Sequence, residues 1–288
     1  MAGTFWHLSL ARRALPVVAA NWPDGQRARL TRAFYSGSIA PDLGFFPGGP
    51  AVFSQRLHHE ATADFLRALH AAAGDDAEAA FAAGWGLHVC TDVAVHPWVN
   101  SLADEIMSRR RGQLGRRHDL WHLRIENGID CHVLGNVDSR FLWELELAWE
   151  EGASSAELLA AVGERFLGAA AAPALAAGIA SQRRWVARLP LIYLYSGHTR
   201  PPARPVGRTL GYLVRPLVRA GLGDLCGGKG GWDNLGAVAK PLVADAAILQ
   251  RAGELGAAAL ASFEAAYRNS FAALANLDLD TGREIDAD

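Results

Sequence analysis

The stretch His88-Val-Cys-Thr-Asp92-Val-Ala-Val-His96 decides how this sequence folds, together with a second stretch, His122-Leu-Arg-Ile-Glu126-Asn-Gly-Ile-Asp130. Each stretch places an imidazole or a carboxylate at positions i, i+4 and i+8. On an α-helix this spacing confines the three side chains to an arc of roughly 80° over a rise of about 12 Å. Because burying unpaired ionisable groups is costly, two such faces indicate a use for them. Imidazole and carboxylate together suit zinc or a similar divalent ion. We therefore predict a multinuclear metal site between two packed helices.

The composition of the chain limits the classes of function. Its 288 residues, half of them hydrophobic, can supply a sizeable core. The formal net charge of −2 and the isoelectric point near 6.6 give no general attraction to nucleic acid or to an anionic membrane. This balance disfavours a dedicated DNA-binding module but does not exclude a nuclease. Cys90, Cys131 and Cys226 are too widely spaced for a disulfide framework or a CxxC zinc motif, so any metal must be bound by His, Asp and Glu.

Apolar residues recur at helical spacing along the chain, and no alternating strand pattern or internal repeat stands out. The sequence therefore predicts an all-α fold, most simply a single multi-helix domain over residues 1–288. The metal-binding core is expected at about residues 5–135. A helical C-terminal half at 136–276 is expected to shape the pocket, and the tail at 277–288 is expected to be frayed.

The two stretches lie on two long predicted helices, from Glu78 to about Arg111 and from about His118 to Leu134. Pro97 is expected to kink or end the first of these directly after His96. Further helical stretches are predicted at residues 5–20, 27–35, 53–73, 139–150, 156–167, 174–195 and 238–274.

The first twenty residues bear on where the protein resides. The longest apolar run there, Ala14–Ala20, is seven residues long, at the short limit for a secretory signal, although Val18-Ala19-Ala20 loosely resembles a cleavage site. We interpret the segment as a mature amphipathic helix and predict a cytoplasmic location. No run of 18 apolar residues exists, so no transmembrane helix is expected.

A bridging carboxylate would explain the order of residues in the first stretch. Asp92 lies between His88 and His96 along the helix, so it is placed to bridge ions held by either neighbour. Bridging carboxylates bring divalent ions to about 3.5–4 Å of each other, and such a pair stabilises both the attacking and the leaving oxygen of a displacement at phosphorus. His122 and Glu126 would supply one imidazole and one carboxylate from the facing helix.

Other charged residues leave more than one role open. Asp130 is either a further ligand or an acceptor that fixes the tautomer of an imidazole. The arginines at 109–111 and 116–117 are candidates for binding phosphate charge, although such a cluster is typical of a solvated turn.

Three motifs of the sequence resemble those of a known family. Residues 84–97, read as G-W-G-L-H-V-C-T-D-V-A-V-H-P, are similar to the zinc-dependent phospholipase C family, whose superfamily includes single-strand-specific zinc nucleases. The pattern H-x-x-I-E-x-x-I-D at 122–130 and the loop G-S-I-A-P-D at 37–42 also resemble it. The resemblance covers roughly residues 5–135.

The resemblance implies a paired zinc site with a third ion open to question. One zinc would be held by Asp42, His59, His88 and Asp92, and another by His96, His122 and Glu126. In the secreted phospholipases a third zinc uses an N-terminal Trp amine and a nearby His. Here Trp6 is internal, so its amine is unavailable, and His7 would bind a third ion with Asp92.

Two details of this sequence need to be compared separately with the family pattern. The spacing from Asp92 to His96 is shorter than in the best-studied secreted members. His58 and His59 are consecutive on a predicted helix, so they cannot both point to one face, and the family pattern favours His59.

The mechanism implied is phospholipase C-like hydrolysis of a phosphoric ester. A metal-bound hydroxide, formed because zinc lowers the pKa of water towards 7, would attack phosphorus. Asp42 would bind metal, or orient or deprotonate that water. The expected substrate is a small-molecule or lipid phosphate ester.

Four alternatives remain open. Single-stranded nucleic acid as substrate would call for aromatic stacking platforms. A non-catalytic, metal-stabilised helical scaffold would hold coordinatively closed ions. The dipeptide His118-Asp119 marks another all-α metal phosphohydrolase group. A di-iron bundle would use Glu-x-x-His, which the two stretches do not match. The natural substrate and the oligomeric state are not determined by the sequence.

Overall fold

A computed structural model describes residues 3–46, 48–109, 118–137, 154–196 and 241–285. The regular elements are helices, which confirms the predicted all-α class, and the only β-pairing among the described residues is a single bridge between Leu277 and Glu284. The α-helices are α1 (Thr4–Val18), α2 (Arg27–Gly37), α3 (Ala51–His59), α4 (Thr62–Ala72), α5 (Asp76–Arg109), α6 (His118–His132), α7 (Ser154–Leu167), α8 (Ala171–Ser196) and α9 (Ala246–Arg268). Short 3₁₀ turns occupy Ala19–Asn21, Asp24–Gln26 and Ala40–Phe45, and a π-helical turn occupies Val133–Val137.

The chain divides into two compact units. Unit 1 comprises Met1–Ser9, Trp98–Leu145 and Arg184–Ala252. Unit 2 comprises Leu10–Pro97, Glu146–Arg183 and Gly253–Asp288. The stretch 88–96 therefore lies in unit 2 and the stretch 122–130 in unit 1. The expectation of one domain over the whole chain stays a prediction.

The course of the chain differs from the sequence-based expectation at two places. Of the two effects expected of Pro97, a kink or an end, the end after His96 is not observed: α5 continues through Pro97 to Arg109, so it tolerates the loss of the hydrogen bond that the proline cannot donate. Residues 277–285 of the tail expected to be frayed are hydrogen-bonded: the Leu279 N–H donates to the His58 carbonyl at 2.8 Å, and the Ile285 N–H donates to the Asn276 carbonyl at 3.0 Å. The predicted helix at 139–150 lies outside the described residues.

Two glycines bring α2 and α5 into backbone contact within unit 2. A Cβ atom on Gly37 would lie 2.0 Å from the Phe81 carbonyl oxygen, and one on Gly84 would lie 2.1 Å from the Phe34 carbonyl oxygen. No larger residue fits at either position without moving a helix. The contact places the residues that follow α2, beginning with Ser38, against α5 one turn beyond Gly84.

An aromatic cluster fixes α3 and α4 against α5 in the same unit. Phe53, Phe65 and Trp85 are fully buried. The Phe65 and Trp85 ring centroids are 5.0 Å apart, and Phe53 meets each of these two rings edge-on, at 5.7 Å and 6.3 Å. Tilted and edge-on ring pairs of this kind contribute about 0.5–1.5 kcal/mol each beyond the area they bury. The cluster therefore sets how α3 approaches α5.

Unit 1 has its own buried polar contacts around α6. Asn127 donates to the Leu123 carbonyl at 2.7 Å and accepts a hydrogen bond from the Tyr193 hydroxyl. The Leu242 N–H donates to the Arg124 carbonyl at 2.8 Å. These bonds hold residues from α8 and from the segment before α9 on α6.

In the part of the chain that the structure describes, no helix has both the length and the apolar character needed to cross a membrane.

Substitution of Gly84 tests the close approach of α2 and α5. We expect Gly84→Ala to lower the free energy of unfolding by about 3 kcal/mol, because its methyl group would meet the Phe34 carbonyl. Gly253→Ala is the matched control, since Gly253 is exposed in α9 and no described atom lies within 4 Å of the added methyl. That control should raise stability by about 0.5–1 kcal/mol. Urea unfolding followed by circular dichroism measures both, and a Gly84→Ala midpoint equal to that of the wild type would contradict the contact.

Candidate metal centre

Helix α5 presents the first stretch in unit 2 with all three side chains buried. His88 Nε2 lies 3.0 Å from Asp92 Oδ2, and His96 Nε2 lies 3.5 Å from Asp92 Oδ1. Each oxygen of the Asp92 carboxylate therefore faces a different imidazole. This is the arrangement that a carboxylate bridging two ions requires.

Two further residues of unit 2 converge on His88 and Asp92. The buried Asp42 is carried by the 3₁₀ turn Ala40–Phe45, and the buried His58 by α3. His58 Nε2 lies 3.2 Å from Asp42 Oδ1 and 3.5 Å from Asp92 Oδ2. The Nε2 atoms of His58 and His88 are 3.4 Å apart. Ligand atoms of His58, His88 and Asp92 all lie within 4.8 Å of one another, which is close enough to hold one metal ion.

Local packing explains why Asp42 and His58 meet. The Ser54 hydroxyl accepts a hydrogen bond from the Gly44 N–H at 2.8 Å and donates to the Pro41 carbonyl, so it ties the 3₁₀ turn to α3. His58 lies one helical turn after Ser54. The Phe45 ring contacts the His58 ring edge-on, with centroids 5.1 Å apart. The turn that carries Asp42 thus also holds the His58 ring.

The imidazoles of His58, His88 and His96 are oriented in the same way, with Nδ1 next to an oxygen acceptor. The Nδ1 atom lies 2.7 Å from the Ser54 carbonyl for His58, 3.0 Å from the Ser38 carbonyl for His88, and 2.9 Å from Asp280 Oδ1 for His96. A carbonyl or carboxylate oxygen only accepts hydrogen bonds, so Nδ1 carries the proton in each neutral ring. The Nε2 atom then directs a lone pair at the carboxylates.

This donor set fits a divalent cation. A lone pair that faces a carboxylate oxygen is repelled unless a proton or a cation lies between the two atoms. Two carboxylates among neutral imidazoles also leave negative charge buried, which costs several kcal/mol without compensation. Imidazole nitrogen and carboxylate oxygen are the ligands that zinc takes in the absence of cysteine.

The electrostatics of the cluster show how strongly it attracts positive charge. Burial by itself would lower the pKa of His58, but the hydrogen bonds and negative charges of Asp42 and Asp92 outweigh it and raise that pKa from 6.5 to about 9. Burial would raise the pKa of Asp42, yet attraction to His88 and a hydrogen bond from His58 outweigh it and lower that pKa. Asp42 therefore remains charged at neutral pH, and the two carboxylates draw a proton onto His58.

His59 lies apart from this cluster. Its side chain is 37% exposed at the end of α3, and its Nδ1 lies 3.1 Å from Asp278 Oδ2. The family resemblance favoured His59 as a ligand, whereas the structure brings His58 to Asp42 and Asp92. Consecutive helical residues point about 100° apart, and the Ser54 and Phe45 contacts turn the His58 face inward.

Unit 1 contains the His122–Glu126 pair that the second stretch predicts on α6. His122 Nε2 lies 3.0 Å from the buried Glu126 Oε1, and His122 Nδ1 lies 2.6 Å from Asn100 Oδ1. The pair thus repeats the orientation seen in unit 2. Sequence reasoning missed Asn100, although it continues the i, i+4 series of α5 one step beyond His96 and could have been found from that spacing.

Asp130 is buried on α6 and hydrogen-bonds the backbone of α1. Its Oδ1 accepts a hydrogen bond from the Trp6 N–H at 2.8 Å, in the first turn of α1. Burial raises the pKa of Asp130 well above its usual value, against the opposing effect of the Trp6 and Phe5 N–H groups. A Cβ on Gly3 would lie 2.6 Å from this oxygen, so a larger residue there would displace the Asp130 side chain. Asp130 therefore caps the start of α1.

The remaining candidates stand as follows. His7 is buried on α1, within unit 1, and its role as a ligand stays a prediction. The Trp6 N–H lies in the first turn of α1 and donates to Asp130. Arg109 is exposed and pairs with Glu105, and the other arginines of the proposed phosphate-binding cluster lie outside the described residues.

Comparison with known families agrees with the motifs. Residues 6–144 match the family described as zinc dependent phospholipase C, which confirms the resemblance identified from the sequence. Comparison with curated proteins and with solved structures gave no match.

The raised pKa of His58 predicts that zinc binding depends on pH. His58 of the apoprotein is protonated below about pH 9 and must lose that proton to bind an ion. The apparent zinc affinity should therefore rise about tenfold per pH unit from pH 7 towards 9 through this residue and level off above that.

Competition with a chromophoric chelator between pH 6.5 and 10 measures this affinity. His58→Gln should abolish the part of the pH slope between 7 and 9, while His59→Gln should retain it. An affinity that does not change between pH 7 and 9, or a slope lost only in His59→Gln, would contradict the assignment of His58.

Substitution of Asp130 tests its capping role. Asp130→Ala leaves buried N–H groups of α1 without an acceptor and should lower the free energy of unfolding by about 1–3 kcal/mol. Asp130→Asn keeps an acceptor oxygen, and burial already favours the neutral form of the Asp130 carboxyl group. Asp130→Asn should therefore lower the free energy of unfolding by less than Asp130→Ala does. Denaturant unfolding measures both variants. Equal losses for Ala and Asn would show that the acceptor oxygen is not what matters.

Proposed function

From the family match over residues 6–144 and the buried cluster around Asp92, we propose that this protein is a zinc-dependent hydrolase of phosphoric esters with phospholipase C-like chemistry. The observation that carries the proposal is the Asp92 carboxylate, whose two oxygens each face the Nε2 atom of a different histidine. A mononuclear structural site would not need both oxygens placed in this way.

The proposed ligands follow from the geometry of unit 2. One zinc would be held by Asp42, His58, His88 and Asp92. His96 faces the other oxygen of Asp92 and would belong to a second ion. The expectation that His122 and Glu126 hold the second zinc rests on their helical spacing and on the resemblance. The expectation that His7 binds a third ion rests on the resemblance.

Zinc, when bound, lowers the pKa of a coordinated water towards 7 and neutralises charge on the phosphate. Residues of the chain would support this chemistry by their charge and by their hydrogen bonds. Asp42 stays ionised, because His88 and His58 lower its pKa, so it can accept a proton from the attacking water as well as bind metal. The Ser38 and Ser54 carbonyls hold the His88 and His58 rings so that neither needs to turn during the reaction.

The proposed substrate is a phosphodiester of lipid type or a small-molecule phosphate ester. The family description names a phospholipase C, and the net charge of −2 gives no general attraction to nucleic acid. A single-stranded nucleic acid is the second candidate. The cytoplasmic location inferred from the first twenty residues stays a prediction.

Hydrolysis assays on the zinc-loaded protein test the proposal. Bis(4-nitrophenyl) phosphate and phosphatidylcholine vesicles should both be hydrolysed, and single-stranded DNA should be cleaved more slowly or not at all. Asp42→Asn should lower the rate at least about 100-fold, because it removes a ligand and a proton acceptor. Asp24→Asn is the matched control, since the Asp24 side chain is 99% exposed, and it should keep the wild-type rate.

Each other result would decide against the proposal in a specific way. Cleavage of DNA alone would assign a nuclease. Absence of turnover with zinc bound would assign a metal-stabilised scaffold. Iron as the metal of protein purified without added metal would assign a different class of centre.

A further inference from the structure

A carboxylate near the C-terminus bonds one of the proposed zinc ligands. Asp280 Oδ1 lies 2.9 Å from His96 Nδ1. The His96 side chain is 5% exposed, whereas that of Asp280 is 43% exposed at the edge of the cluster. Both residues lie in unit 2, 184 residues apart in sequence, and Asp280 lies well beyond the segment that matches the family.

The segment that carries Asp280 is firmly attached to α3 and α4. The Leu279 N–H donates to the His58 carbonyl at 2.8 Å, and the Leu279 side chain is fully buried. The Thr62 hydroxyl donates to the Leu277 carbonyl at 3.0 Å and accepts from the Leu277 N–H at 2.8 Å. Asn276 Oδ1 accepts hydrogen bonds from two N–H groups in the first turn of α4, at 2.9 Å and 3.0 Å.

The segment is also held by bonds within its own turn. Asp278 Oδ1 accepts from the Thr281 N–H at 2.9 Å and from its hydroxyl at 3.0 Å. The Gly282 N–H donates to the Asp278 carbonyl at 2.7 Å, and Gly282 adopts φ of +67°, a conformation that favours glycine. Asp278 Oδ2 meets His59 Nδ1 at 3.1 Å. Asp280 therefore projects from a turn fixed on both sides.

We infer that Asp280 is a positioning residue for His96, supplied to the metal centre by the C-terminal turn of residues 276–285. Its carboxylate accepts the Nδ1 proton of His96 and so keeps Nε2 directed at Asp92 Oδ1. The Ser54 and Ser38 carbonyls do the same for His58 and His88. Among these three acceptors Asp280 alone is a charged side chain, and a carboxylate partner increases the basicity of the ligating nitrogen. This inference rests on the proposal that His96 binds zinc.

The inference predicts a selective loss of zinc affinity. Asp280→Ala should weaken binding of one of the zinc ions by about 10- to 100-fold, the effect typical of removing the partner of a ligating histidine. Asp280→Asn keeps an acceptor of the same shape without the charge, so it should recover part of that affinity. Glu284→Ala is the matched control, because it removes an exposed carboxylate from the same turn, and it should bind zinc as the wild type does.

Three measurements on the full chain separate positioning from a merely structural role. Competition with a chromophoric chelator gives the affinity of each zinc site. Long-range ¹H–¹⁵N spectra of the apoprotein report the tautomer of His96, which should carry its proton on Nδ1 in the wild type and should be mixed in Asp280→Ala. Thermal unfolding of the apoprotein reports any damage to the fold.

The inference is overturned if Asp280→Ala and Asp280→Asn bind all zinc ions with wild-type affinity. It is also overturned if the affinity loss in each variant is matched by an equal loss of apoprotein stability with an unchanged tautomer. If Asp280→Ala does not fold, a several-fold affinity loss in a folded Asp280→Asn supports the inference. Zinc binding weakened by these variants in a protein that hydrolyses no phosphate ester would support the inference while rejecting the proposed function.

Discussion

The buried negative charge of Asp42 and Asp92 is the constraint on which the centre of unit 2 depends. Two carboxylates shielded from water are stable only next to positive charge or a cation. In the cluster, the Nε2 atoms of the imidazoles face the carboxylate oxygens. The negative charge of the two carboxylates raises the pKa of His58 to about 9. Proton and zinc would therefore compete for one place. The buried carboxylates therefore attract a cation whether or not substrate is bound.

Close packing outside the cluster contributes to the precision of the cluster, in addition to its hydrogen bonds. Gly37 and Gly84 let α2 and α5 meet at their backbones, and this contact brings the turn that carries Asp42 to His88. The aromatic cluster around Trp85 sets the approach of α3, and hence the place of His58. Close packing of this kind is rigid, so the distances between ligands are determined before the metal binds.

Each histidine of the cluster has an oxygen acceptor next to its Nδ1 atom. Backbone carbonyls serve His58 and His88, whereas His96 depends on Asp280 and the turn of residues 276–285. The His122–Glu126 pair of unit 1 shows the same orientation with the Asn100 side chain. A segment far from the family motifs in sequence thus supplies the acceptor for one of the histidines that we propose as metal ligands.

The sequence by itself determined the helical class, the face formed by His88, Asp92 and His96, and the His122–Glu126 pair, because each depends on a periodicity within a single helix. Asn100 was within reach of the same argument. The tertiary structure alone decided that His58 rather than His59 joins the cluster, since the rotation of α3 follows from its contacts with the turn of residues 40–45. It also decided the partners of Asp130 and Asp280, which lie 124 and 184 residues away. Contacts over such separations are selected by how whole elements pack, and no local pattern in the sequence encodes them.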